Sequence, residues 1–343
     1  MTLRTDERGC FSTGARLTRR CCKTPKLFIF ISQICNTVYT EAELRALEAL
    51  QGESTVSGLA EELDRSRSYV SELVTRMESK GLVHTSREGK QKRINRSDAR
   101  AIELFDSFVQ QYTHIPFPEL LGGATLRILY YLQSPASATQ LAEQVGVHRS
   151  TVHRSLSPLE NRGMIYKSDG KYTLNDDFKE LSTVAREFAH LRHRHRIEDH
   201  TESFTILWES LDDCLVQTRA EIKADAFLLT GPELFQAYDL PLMARQRRYY
   251  LYSETVEEVS PAELCCHMLV VDDGTRSQSY CLLLLSEAAI DRDEVLQAAQ
   301  KYEVDEQVSN LLEYLDTEGE SRSGRLPRWE EFRDLADEYG VAV

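Results

Sequence analysis

Apolar positions along residues 40–175 recur first with helical and then with strand spacing, and the same order is used twice. In TEAELRALEALQG, Leu44, Leu47 and Leu50 fall three residues apart and the run stops at Gly52, which predicts an amphipathic helix and its end. Thr55 stands where it can cap a second helix, VSGLAEEL. In LDRSRSYVSELVTRMESKGLV, Val70, Leu73, Val74 and Met77 lie at i, i+3, i+4 and i+7, the single buried stripe of a third helix. Ser66 is its expected N-cap, because a hydroxyl there accepts a backbone N–H that the first turn leaves unpaired. Gly81 ends that helix, and HTSREGKQKRIN reads as two short strands with Glu88 and Gly89 at the turn.

The second pass begins at GATLRILYYLQS, with Leu126, Leu129 and Leu132 inward. SATQLAEQV follows as a helix, and VHRSTVHRSLSPLENRGMI as another, with Val152, Leu156 and Leu159 at i, i+4 and i+7. IYKSDGKYTLN then gives a hairpin around Asp169-Gly170, a strong two-residue turn signal. The two third helices align without a gap, Ser66 on His148, a period of 82 residues. Three helices and a hairpin, twice, predict tandem winged helix-turn-helix domains over residues 39–115 and 116–197. After the second hairpin, Phe178, Leu181, Val184, Phe188 and Leu191 mark a long helix that leaves the domain. Its end carries His190, Arg192, His193, Arg194, His195 and Arg196. Arginines between the histidines would repel a dication, so the reading is a solvated helix end with cations near its C-terminus, not a metal site.

The segments RSRSYVSELVTRMESKGLV and HRSTVHRSLSPLENRGMI resemble the recognition helices of MarR- and ArsR-type winged-helix regulators, archaeal ones above all, and the likeness spans residues 40–175. It implies a third helix in the major groove of double-stranded DNA and a hairpin wing on the phosphate backbone or in the minor groove. The buried stripes then fix which side chains face out. The second copy presents Arg149, Ser150, His153, Arg154 and Ser157, with Lys167 and Lys171 on its wing. The first presents Arg67, Ser68, Ser71, Glu72 and Arg76, with Arg87, Lys90, Lys92 and Arg93 on a more basic wing. Arginine can bond guanine O6 and N7 or clamp phosphates, and serine can take either role. Glu72 could accept from cytosine N4 but is repelled by phosphates. The expected division has the first copy binding through its wing and the second reading bases; the reverse division stays open. Pro158 removes a bond to the Arg154 carbonyl and is expected to kink its helix. The rival reading is that these domains bind protein, since a charged outer face is also what any solvated helix shows.

Charge alters this picture less than the net value of −14 suggests. Residues 198–343 hold 12 basic and 32 acidic side chains, net −20, whereas residues 39–197 hold 22 and 21 and residues 1–38 hold 7 and 2. The front of the chain is thus free to meet a polyanion. Ten lysines against 31 arginines, with abundant carboxylates, suggest a cytoplasm of high ionic strength and a halophilic composition. Residues 1–38, with LFIFIS and Cys10, Cys21, Cys22 and Cys35, read as a disordered extension or a mis-assigned start, because the apolar run is too short for an export signal. The eight cysteines contain no Cys-x-x-Cys pair and read as reduced cytosolic thiols.

Residues 198–343 predict an acidic α+β domain for dimerisation or partner binding. FTILW, CLVQT, AFLLT and RYYLYS are the candidate strands; SPAELCCHMLVV, opened by a capping box at Ser260–Glu263, EVLQAAQKY, EQVSNLLEYL and PRWEEFRDLADEYGV are the helices. Cys265, Cys266 and His267 are consecutive on a helix and diverge by about 100° each, so they read as buried small hydrophobes and not as a metal or redox centre. The run from SPAELCCHMLVV to DRDEVLQAAQKYEVDEQVSNLLEYL loosely resembles AbiEi-type antitoxins, winged-helix repressors whose partner is a nucleotidyltransferase toxin. No phosphate-binding glycine loop, HExxH or GxSxG occurs, which disfavours an enzyme. The sequence therefore predicts an α+β protein acting as a cytoplasmic transcriptional repressor. Its expected partners are double-stranded DNA, a second copy of itself and, through residues 198–343, another protein; no cofactor, metal or membrane is expected.

Overall fold

The computed structural model describes residues 38–89, 91–242, 246–288 and 290–343. The readings placed on residues 1–37, and Lys90, lie outside these residues.

The winged half opens with α1 (Glu41–Ala49), β1 (Ser54–Thr55), α2 (Val56–Glu62) and α3 (Arg67–Glu78), and closes on the hairpin β2 (Val83–Glu88) and β3 (Gln91–Arg96). Local chemistry sets each start. Thr40 and Glu43 form a capping box on α1, Thr55 caps α2, and the Ser66 hydroxyl accepts from the Tyr69 N–H at the head of α3. Helix α1 ends at Ala49, three residues before the expected stop at Gly52. In the hairpin Glu88 pairs with Gln91 and Gly89 takes a positive φ of 61°, so Glu88 belongs to the strand and not to the turn expected at Glu88-Gly89. Val70, Leu73, Val74 and Met77 are all buried.

Two helices that the periodicity left unassigned, α4 (Arg100–Gln111) and α5 (Phe117–Leu121), separate this unit from its repeat. The repeat runs α6 (Thr125–Tyr130), β4 (Ala136–Ser137), α7 (Ala138–Val145), α8 (Arg149–Glu160), β5 (Ile165–Ser168) and β6 (Lys171–Leu174). Ser137 and His148 cap α7 and α8, as Thr55 and Ser66 cap α2 and α3. Gly146 and Asp64, again 82 positions apart, both have positive φ (70° and 53°) in the turn before the third helix. The period holds through Ile165, the first residue of the second wing, and is lost within the hairpin, because each strand of that wing is two residues shorter. Each three-stranded sheet has the wing's second strand in the middle, β1-β3-β2 and β4-β6-β5. Asp169 and Gly170 both have positive φ, which a two-residue hairpin turn of this kind requires. Helix α8 continues through Pro158 to Glu160. Pro158 withholds one donor from the Arg154 carbonyl and does not end the helix, which runs two residues beyond it.

Helix α9 (Glu180–Glu198) binds the two units together. Its buried Val184 and Phe188 join a single apolar core that runs from Tyr39 to Leu191 and reaches Leu211. Tyr39 donates its hydroxyl to the Phe188 carbonyl at 2.9 Å. The buried Lys80 Nζ reaches both Glu43 carboxylate oxygens at 2.8 Å and the Val38 carbonyl at 2.6 Å, pinning the end of α3 to the start of α1.

The acidic part is a four-stranded antiparallel sheet of β7 (Phe204–Glu209), β8 (Cys214–Thr218), β9 (Phe227–Thr230) and β10 (Arg248–Tyr252), in the order β7-β8-β10-β9. Cys214, Val216, Tyr250 and Tyr252 turn to one face, where they meet Ile197 of α9, and Leu251 turns to the other. That second face packs on α10 (Pro261–Val271), α11 (Thr275–Glu287), α12 (Arg292–Tyr302), α13 (Asp305–Asp316) and α14 (Trp329–Tyr339). Sequence periodicity overlooks α11: its Leu282, Leu283 and Leu284 are all fully buried, so no polar face alternates with an apolar one. At α10 only half of the expected capping box forms. Ser260 caps the Glu263 N–H, but the Glu263 carboxylate turns to Tyr302 and Lys301.

Candidate nucleic-acid interface

In the second unit the outward face of α8 is built as expected at most positions. Arg149, Ser150, Arg154 and Ser157 are exposed, while Val152, Leu156 and Leu159 hold the opposite side in the core. His148 sits at the N-cap with its Nδ1 facing the Ser150 N–H, which leaves the first turn pointing outward with its backbone donors ordered. Lys167 and Lys171 flank the wing turn and are exposed; the Lys167 ammonium also lies 5.1 Å from the Tyr172 ring centre. Among the described residues no carboxylate pairs with Arg149, Arg154, Lys167 or Lys171. His153 departs from the expectation. It is only half-exposed, and its Nδ1 meets the Tyr172 hydroxyl at 2.7 Å, so it braces the helix against the wing.

The first unit presents Arg67, Ser68, Ser71, Glu72 and Arg76 on α3, all exposed. Its wing is basic by count and largely compensated in space. Lys92 lies 3.2 Å from Glu78, and Arg93 lies 2.8 Å from Glu88 and 3.3 Å from Glu53. Arg76 is 3.8 Å from the buried Glu43. Arg87 is exposed, and Lys90 is outside the described residues. Positional counting missed this compensation because the acidic partners lie on other elements or across the hairpin.

Two exposed aromatics escaped the sequence reading: Tyr69 in the first turn of α3 and Tyr166 on β5. An aromatic at an outward position of a strand or helix was the available signal.

The histidine-rich end of α9 is not a solvated helix end. His193 is fully buried and Arg192 nearly so, because the helix runs on against the β7–β8 hairpin. Glu209 receives His190 at 3.0 Å and His193 at 3.4 Å. The bond to Glu209 raises the His190 pKa above its ordinary value, whereas burial lowers that of His193 despite the same partner. Burial pushes the Glu209 carboxyl up, but the hydrogen bonds from both histidines and the charge of His190 outweigh it and hold the pKa at about 2. We take His190 as the charged partner and His193 as neutral, since only His190 reaches solvent. Beside this clasp lies a cleft of about 930 Å³ between the first winged unit and α9, lined among others by His84, Arg100, Arg186 and Arg194.

Cys265, Cys266 and His267 are buried as expected. The contact with Cys281 and burial push the Cys265 thiol up, and burial pushes Cys266 up, which disfavours the reactive thiolate. His267 accepts or donates at Thr230, 2.8 Å away, and burial holds its pKa down at about 3. Among the described residues no group of three or more His, Cys, Asp or Glu side chains is arranged to hold a metal ion.

These units have the architecture of winged helix-turn-helix domains. Residues 39–94 match the model of the MarR family, so this part of the chain is similar to a family of DNA-binding transcription regulators. Two further models match in succession: the HVO_A0261 N-terminal domain over residues 124–177, which is the repeat, and the HVO_2833 C-terminal family over residues 224–341. No curated protein matches the chain. Among the described residues no helix is long and apolar enough to cross a membrane.

Proposed function

We propose that the protein is a sequence-specific transcriptional repressor that grips double-stranded DNA with both winged units and works in the cytoplasm as a homodimer joined through residues 198–343. The observation that carries this reading is the unpaired cationic set Arg149, Arg154, Lys167 and Lys171 on one helix and its wing. Cations without carboxylate partners are available to phosphates and base edges, whereas Lys92 and Arg93 must first leave Glu78 and Glu88. The second unit is therefore assigned the reading of bases. The first contributes Arg67, Ser68, Ser71 and Arg87, and its wing adds less than its charge count implies.

The test is binding to the protein's own upstream region and to a random duplex across a salt series. Arg149→Ala with Arg154→Ala should lose preference for the upstream region, at about 1–3 kcal/mol per base contact removed. Lys167→Ala with Lys171→Ala should weaken both duplexes alike and flatten the salt slope. Absence of wild-type binding at low salt would overturn the proposal and direct the search to a protein partner.

A further inference from the structure

Arg127 on α6 contributes nothing to the outward face of the second unit, yet it joins that unit to the acidic domain. Its Nη1 and Nη2 donate to the two carboxylate oxygens of Asp212 at 2.6 and 2.7 Å, a bidentate fork. The same Nη2 lies 3.4 Å from the Val145 carbonyl, at the last residue of α7. Gly146 follows with its positive φ, and two residues later His148 caps α8. One guanidinium thus touches both the acidic domain and the backbone that leads into the proposed reading helix.

Asp212 belongs to the turn between β7 and β8, and this turn is held from several sides. The Ser210 N–H donates to the Asp213 carbonyl at 2.8 Å, and the Asp213 N–H to the Ser210 hydroxyl at 3.1 Å. Arg192 of α9 reaches Asp212 at 3.3 Å and the Leu211 carbonyl. Asp213 in turn lies 3.3 Å from Lys301 of α12, which is 3.1 Å from Glu263 of α10. Polar contacts therefore run from the C-terminal helices through one hairpin turn to Arg127 and the end of α7. The first unit is wired differently. Arg45, which stands at the matching position 82 residues earlier, pairs with Glu41 and Glu119 inside the winged half.

We infer that Arg127 is a positioning residue for α8, and that Asp212 is the point through which the acidic domain sets how α8 is presented to DNA. The inference rests on the proposal that α8 reads bases. Loss of Asp212 would leave every outward side chain of α8 in place and loosen the frame that aims it, so specific binding should suffer while phosphate attraction persists.

Asp212→Ala and Arg127→Lys test this in the full chain. Lysine keeps the charge and loses the fork that spans Asp212 and Val145. Expected for both is at least a tenfold loss of affinity for the upstream region, affinity for a random duplex within about twofold of wild type, and faster amide hydrogen exchange at Val147 and Thr151. Unchanged exchange at these amides overturns the inference even if wild type binds no DNA, an outcome that would by itself sink only the proposed function. A parallel fall in both affinities with a lowered melting temperature also overturns it, because it marks a purely structural contact.

Discussion

Glu209 shows how much one carboxylate can carry at the seam between the winged half and the sheet. It faces His190 and His193 from β7, and its pKa of about 2 lies below that of an exposed glutamate. A carboxyl with a depressed folded-state pKa contributes stability above its unfolded pKa, and that contribution disappears as pH falls through the folded value. His193 adds to the same trend: buried neutral, it opposes folding once the unfolded histidine takes up a proton, below about pH 6.5. His190 runs the other way, its contribution full below the unfolded value and lost as pH rises through its raised pKa. Glu209→Gln should lower stability at pH 7 by about 1–3 kcal/mol, discounted for the exposed quarter of its side chain. It should also flatten the loss that wild type suffers between about pH 4.5 and 2. Thermal melts across pH for both proteins check this; parallel pH profiles would deny Glu209 the role. The alternation of His and Arg in HLRHRHR hid the site, since the partner stands on a strand that no local pattern connects to the helix.

At the scale of elements, the helices with one apolar stripe were legible: α3 and α8 bury the positions that the sequence pattern predicts, and Ser66 caps α3 as expected, whereas the His148 cap of α8 was not foreseen. The wings were also legible, the second at its Asp169-Gly170 turn and the first through Gly89, although Glu88 proved to be a strand residue. What the pattern could not carry was compensation across elements, such as Lys92 with Glu78, and helices without a polar face, such as α11. The Lys80–Glu43 pair belongs to the first kind and fixes how α3 meets α1. Lys80→Ala would leave the buried Glu43 with only the more distant Arg76 at 3.8 Å, a change at the lower end of about 3–5 kcal/mol. Lys80→Met combined with Glu43→Gln should recover much of that loss. Denaturant midpoints of the two variants and wild type decide it; equal loss in single and double variants would mean that the pair is not coupled.

For the whole molecule, two opposed salt responses follow from where the charge sits. Residues 198–343 carry net −20 and repel one another, so added salt should raise the melting temperature by screening. Binding to DNA should fall with salt at a log–log slope of about −0.9 for each phosphate contacted. Melting and binding curves from low to molar salt test both; a melting temperature indifferent to salt would remove the acidic domain from the account. The charge partition was legible in full from sequence. The continuity of the core from Tyr39 to Leu191 was not, because it depends on α9 packing against helices of both units at once.

The unequal wings have a consequence of their own. Two residues fewer per strand shorten the second hairpin by about 7 Å at ~3.3 Å per residue. Phosphates along one DNA strand follow each other every ~3.4 Å of helix axis, so under the proposed function the two hairpins would differ in reach by roughly two nucleotides. Duplicated units with different reach cannot stand in for one another, and exchanging them within the chain would give a protein with a different footprint.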